Sequence, residues 1–85
     1  ILASQKEMVI STAPKVEPRN LMGAGDALLA GLVHGFEKKL PLTETLRWAA
    51  GFGTVWLSHD TNQPVTREDI SAMLPRIDVR LISVL

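Results

Sequence analysis

Apolar residues along the chain fall into two spacings. Met8 to Thr12 form a short, largely β-branched run, Met-Val-Ile-Ser-Thr, closed by Ala13-Pro14, and this predicts a strand. Lys15 to Asn20 alternate loosely and carry Pro18, which suits an extended, edge-like segment. From Ala27 the spacing becomes helical. Leu28, Leu29, Leu32, Val33 and Phe36 supply apolar bulk, while Ala27, Ala30, Gly31 and Gly35 lie close to one face. Small residues on one face let a helix approach a sheet or a second helix closely. This helix is expected from Gly25 or Asp26 to about Lys38. Its last residues, Glu37-Lys38-Lys39, form a solvated end with lysines at the negative pole, and Pro41 enforces a break.

A second helix is expected from Thr43 as N-cap, with Glu44 in its first turn. It runs through Leu46, Ala49, Ala50, Phe52, Val55, Trp56 and Leu57. Gly51 and Gly53 weaken it as an isolated helix, which points to close packing or a nearby ligand. Ser58 to Gln63 reads as a polar loop ending at Pro64. Thr66 then caps a third, short helix reaching about Leu74, with Glu68 and Asp69 in its first turn. Asp78 to Leu85 alternates through Val79 and Leu81, and is either a last strand or an ordered tail.

Composition narrows the class. The 85 residues are 46% hydrophobic and 21% charged, which describes one small globular unit. The formal net charge is zero, so nothing points to a nucleic-acid or membrane-surface partner. No apolar stretch reaches the length of a membrane span. The absence of cysteine excludes disulfides and thiolate metal sites and fits a reducing, cytoplasmic setting. The chain opens on Ile1 without an initiator Met and closes on the apolar run Leu81-Ile82-Ser83-Val84-Leu85, so a segment of something longer is expected. A single partial domain, residues 1–85, is expected with no complete domain boundary inside it.

The chemistry gathers in Asn20-Leu21-Met22-Gly23-Ala24-Gly25-Asp26-Ala27. A glycine-rich turn runs into a helix, and one carboxylate sits at the junction. The first backbone N–H groups of such a helix have no internal partner, and with the dipole they make an anion site. Asp26 can act there as a base, a metal-side ligand or a cap. Taken alone, Gly-x-Gly-Asp is a weak signal and favours the cap.

The flanks strengthen it. Gly23-Ala24-Gly25-Asp26, followed by Ala30-Gly31, with a strand before and a helix after, resembles the C-terminal signature of the PfkB (ribokinase-like) family of carbohydrate and nucleoside kinases. The likeness extends from Gln5 to Pro75. Asn20 and the overall texture are closest to pseudouridine kinase-like or 1-phosphofructokinase-like members. The resemblance implies an α/β fold, the C-terminal part of a ribokinase-like three-layer domain, mostly helical in this segment. It implies ATP-dependent phosphorylation of a hydroxyl on a small-molecule sugar, sugar phosphate or nucleoside, with Asp26 as the catalytic base. Gly23, Ala24 and Gly25 would form the anion hole, and a side chain at either glycine would crowd the phosphates. A carboxylate with a reference pKa of about 3.9 orients the acceptor more than it deprotonates it in the ground state. Ala49 to Gly53, including Ala50 and Gly51, and the loop His59 to Pro64, including Asn62, fall where the family borders adenine. The family also implies Mg2+, whose acidic motif lies upstream of this segment, and a monovalent cation near Asn20. Asn20 replaces the Asp often seen there, which removes one charge from that cation site, and Leu21 departs from the small or β-branched residue usual beside it.

The sugar-binding residues and lid of the family also lie upstream, so residues 1–85 alone are expected to be too short for turnover. The alternative readings are a truncated, non-catalytic remnant that at most binds nucleotide or a partner, and a small helical module whose glycines serve packing alone. Exposed sheet edges and apolar helix faces leave room for a homo-oligomer. No His/Asp/Glu grouping has metal-ligand spacing. His34 reads as a packed or half-exposed histidine, His59 and Asp60 as loop filler, and Trp48 and Trp56 as core.

Overall fold

The computed structural model describes residues 1–60 and 62–84; Thr61, within the expected polar loop, and Leu85, at the end of the expected last element, lie outside the described residues. The chain runs β1 (Leu2–Ala3), β2 (Glu7–Thr12), α1 (Ala24–Glu37), α2 (Leu42–Ser58), α3 (Arg67–Met73) and β3 (Asp78–Val84), with a 3-10 turn at Leu74–Arg76 between α3 and β3. The strands form one antiparallel sheet in the order β1-β2-β3.

The open choice at residue 78 resolves as a strand. β3 pairs with β2 from Thr12↔Asp78 to Glu7↔Val84, so the far end of the chain returns to its beginning. Met8 pairs with Ser83 but Val9 pairs with Leu81, which leaves Ile82 as an extra residue, a bulge on an edge strand. Val9, central in the sheet, is fully buried. Lys15 to Asn20 joins no strand. Its end is tied instead to α2, where the N–H groups of Arg19 and Asn20 both donate to the Leu57 carbonyl at 2.8 and 3.0 Å.

α2 lies against β2 and β3 on one side and against α1 on another. It starts at Leu42 with Pro41 as N-cap, not with Thr43, which falls inside the first turn. Proline has no N–H to leave unsatisfied, and the Thr45 N–H donates to the Pro41 carbonyl at 2.9 Å to close the first turn. α2 also ends later than the expected loop start, because Ser58 is still helical and its hydroxyl donates back to the Val55 carbonyl at 3.1 Å.

Two glycines let α1 and α2 touch backbone to backbone. A Cβ on Gly31 would stand 2.5 Å from the Ala49 Cα, and one on Gly35 would stand 2.6 Å from the Thr45 side chain. Gly51, on another face of α2, leaves room for Leu74, whose Cδ2 would be 3.0 Å from an added Cβ. The core below is Val55, Ile70, Met73 and Ile77, with Trp48, Phe52, Val65, Leu74 and Val79 packed around it. α3 enters this core through a complete capping box. Asp69 N–H donates to the Thr66 hydroxyl at 3.2 Å, and Thr66 N–H donates to the Asp69 carboxylate at 2.9 Å. α3 ends at Met73, before Pro75 as expected, and Pro75 lies second in the 3-10 turn Leu74–Arg76 that leads into β3.

The outer face of α1 departs from its expected role as apolar bulk. Leu29, Val33 and Phe36 are 57, 55 and 58% exposed, and Leu28 is also exposed. Among the described residues no helix is long and apolar enough to cross a membrane.

Candidate active site

Gly23 is the N-cap of α1 and has φ 85° and ψ 1°. Among L-residues that left-handed conformation is strained, and glycine takes it freely. It is followed at once by helical Ala24. A left-handed residue followed by a right-handed one turns three successive N–H groups, here those of Gly23, Ala24 and Gly25, toward a common concavity, a nest suited to anions. The first helical bond is Ala27 N–H to the Gly23 carbonyl at 2.9 Å, and no side chain caps the terminus. The N–H groups of Ala24, Gly25 and Asp26 therefore precede the first helical bond and take no partner in the described hydrogen bonds.

The two glycines serve different ends. A Cβ on Gly23 would press on the Trp56 indole at 3.2 to 3.4 Å, whereas a Cβ on Gly25 would meet nothing within 4 Å. Internal packing thus accounts for Gly23 and leaves Gly25 facing open space.

Asp26 is exposed in the first turn of α1, at the edge of a cavity of about 450 Å³. Gly23, Ala27 and Ala30 line it on the α1 side, Phe52 and Trp56 on the α2 side, and Val65 and Ile70 close it. A mostly apolar cleft with one carboxylate at its mouth can hold a flat or apolar group while a polar end meets the nest. A second cavity, about 380 Å³, lies against Ala24, Gly25 and Ala50.

The sequence-derived residues are therefore brought together unevenly. Gly23, Ala24, Gly25 and Asp26 form one turn. Ala50 reaches Ala24 and Gly25 across the second cavity. Gly51 is buried against Leu74, and Asn62 is exposed on the loop, its N–H bonded to the Asp60 carboxylate at 3.1 Å. Neither Gly51 nor Asn62 lines the cavity at Asp26. Asn20 is tied by its backbone to Leu57, three residues before the nest. No group of three His, Cys, Asp or Glu side chains able to hold a metal ion forms among the described residues.

Phe52, inside the stretch Ala49 to Gly53 singled out from the sequence, and Trp56, which sequence reasoning read only as core, both wall the cavity. Trp48 does pack on the core, where its ring centroid is 4.4 Å from that of half-buried His34 and 6.0 Å from that of Phe52. Trp56 instead donates its indole N–H to the Met22 carbonyl at 2.7 Å. Its partner lies 34 residues earlier in the chain, so no local pattern could have shown it. His59 Nε2 lies 2.8 Å from the Pro64 carbonyl and so closes its own loop.

Residues 1–79 match the family model described as pfkB family carbohydrate kinase. Among curated proteins the chain is similar to 1-phosphofructokinase of Bacillus subtilis, 29% identical over 79 residues, covering 93% of this chain and 25% of that protein. It is similar also to 1-phosphofructokinase of Haemophilus influenzae, 36% identical over 75 residues, covering 88% of this chain and 20% of that protein. Among solved structures it superposes on a candidate phosphofructokinase from Staphylococcus aureus with a TM-score of 0.85 at 20% identity, covering 95% of this chain and 26% of that one. A candidate sugar kinase from Clostridium perfringens gives a TM-score of 0.76 at 22% identity over the same shares. These superpositions establish the fold, an α/β piece of the ribokinase-like architecture. The chain spans about a quarter or less of the length of these proteins.

Proposed function

The chain belongs to the pfkB family of carbohydrate kinases, and on that footing we propose that it supplies the phosphate-binding turn and the base of an ATP-dependent phosphotransferase. The observation that carries this reading is the nest at Gly23, with unpartnered N–H groups beside an exposed carboxylate. Phosphoryl transfer asks for positioned donors and charge stabilisation more than for covalent help. The N–H groups of Gly23 to Asp26 meet the phosphate oxygens at the positive pole of α1 as charge shifts between them.

Asp26 orients the acceptor hydroxyl and takes its proton late in the step. The acceptor oxygen forms its bond to the γ-phosphorus as the bond from that phosphorus to the β–γ bridging oxygen breaks, and ADP leaves with the electron pair. The cleft walled by Phe52, Trp56 and Val65 suits the flat base of the nucleotide, and Gly25 faces open space where a phosphate can approach. The acceptor is a sugar, a sugar phosphate or a nucleoside; similarity to proteins named 1-phosphofructokinase favours the sugar phosphate. Mg2+ and the acceptor pocket come from outside these residues, and the reaction belongs in the cytoplasm, where ATP is held.

The test is a coupled ADP-release assay on the full natural chain, with fructose 1-phosphate, fructose and pseudouridine as acceptors. Asp26→Asn keeps the shape and removes the base. Turnover is expected to fall by at least about a hundredfold, with ATP affinity kept. Wild-type turnover retained in that variant would reject the base assignment.

A further inference from the structure

The nest is made by a glycine, and glycine does not choose its own conformation. The freedom that admits φ 85° at Gly23 also admits the flipped Met22–Gly23 peptide. The side chains of the turn do not choose either. Leu21 is 75% exposed and Met22 is 85% exposed, so neither is anchored in the core.

The choice comes from α2. The Trp56 indole N–H donates to the Met22 carbonyl at 2.7 Å, and the same ring lies against the bare side of Gly23. In a trans peptide the C=O and N–H point in opposite directions, and no peptide bond among the described residues is cis. Fixing the Met22 carbonyl on the indole therefore sends the Gly23 N–H in the opposite direction within the peptide plane, away from the indole, the orientation the nest requires. In the flipped peptide a carbonyl would stand in place of that N–H and would repel a phosphate.

We propose that Trp56 is a positioning residue for phosphate binding, holding the Met22–Gly23 peptide in the orientation that keeps the nest open to ATP. The role rests on the phosphotransfer reading above. Trp56 need not touch the reacting atoms; it acts through the Met22 carbonyl. Phenylalanine at this position removes the donor together with the indole edge, Nε1, Cε2 and Cζ2, that lies against Gly23, so the variant needs a readout that separates phosphate positioning from packing.

In the full natural chain, Trp56→Phe is expected to raise KM for ATP about tenfold, the scale of one lost neutral hydrogen bond, with KM for the acceptor unchanged. Adenosine, which has the base and no phosphate, is expected to bind the variant as it binds the wild type; an equal loss of affinity for adenosine and ATP, the mark of a lost cleft wall, overturns the proposal. An unchanged KM for ATP in Trp56→Phe overturns the proposal while the Asp26→Asn result still stands for the reaction. Wild-type chain that neither binds ATP nor transfers phosphate removes the reaction and the proposal together. Independently of any variant, the Trp56 indole proton of the wild-type chain should exchange slowly with solvent and more slowly with ATP bound. Exchange at the rate of a free indole, with or without ATP, overturns it.

Discussion

Gly31 and Ala49 meet backbone to backbone: an added Cβ on Gly31 would sit 2.5 Å from the Ala49 Cα and 2.7 Å from the Trp48 carbonyl oxygen. No rotamer relieves that clash, because the obstacle is main chain on a packed helix. Gly31→Ala is therefore expected to push α1 off α2 and to destabilise the protein by about 2 kcal/mol or more, despite alanine's better helix propensity. Denaturant unfolding followed by circular dichroism checks it; a midpoint unchanged or raised would contradict the packing account.

Gly25 gives the opposite outcome from the same substitution. Nothing stands within 4 Å of an added Cβ there, and alanine costs a helix less than glycine does. Gly25→Ala should leave stability unchanged or raise it by up to about 1 kcal/mol. If the open space is where phosphate enters, the same variant loses ATP affinity. Thermal melting and calorimetric titration with ATP, run on one preparation, separate the two effects. A variant that is both stable and fully competent to bind would sever Gly25 from the site.

The capping box of α3 sets an acid limit. Hydrogen bonds from the Thr66 backbone N–H and then its side chain hold the Asp69 carboxyl below its ordinary value of 3.8. A carboxylate whose folded pKa is depressed stabilises the fold above its unfolded pKa and loses that contribution as pH falls through the folded value. The stabilisation is thus complete above about pH 5 and fades below 3.8. Asp69→Ala, which removes the carboxylate that both Thr66 groups hold, should lower the melting temperature by a few degrees at neutral pH and flatten the acid limb of the profile. Parallel profiles for the two proteins would show that the box contributes nothing.

Leu29, Val33 and Phe36 form an exposed stripe on α1 at helical spacing. Isolated residues 1–85 should therefore associate with themselves in solution, concentration-dependently. Val33→Lys together with Phe36→Glu should shift sedimentation toward the monomer without loss of helical signal. Unaltered sedimentation would place the sticky surface elsewhere, with the edge strand β3 the next to change.

The parts legible in the sequence are those fixed by local chemistry. Gly23, Pro41, Thr66 and Pro75 punctuate the chain, and three helices fall between them within a few residues. The glycine turn at the start of α1 is legible for the same reason, since glycine freedom and orphan N–H groups need no distant partner. What escaped depends on contacts far along the chain. β3 is a strand because β2 lies beside it, and its own alternation, interrupted at the Ile82 bulge, fits a tail as well. Thr43 looked like the cap because its type is favoured, yet Pro41 took the place. Trp56 looked like core because an indole is large and apolar; its N–H found a carbonyl that only the tertiary fold brings near.

The paired amides of Arg19 and Asn20 on the Leu57 carbonyl have an electrostatic consequence. α2 ends where α1 begins, so the negative pole of one helix lies beside the positive pole of the other. An unscreened negative pole there would oppose any anion placed at the nest. Two donors on one terminal carbonyl blunt that pole at its source, and the attraction of α1 for a polyanion is left with less to work against.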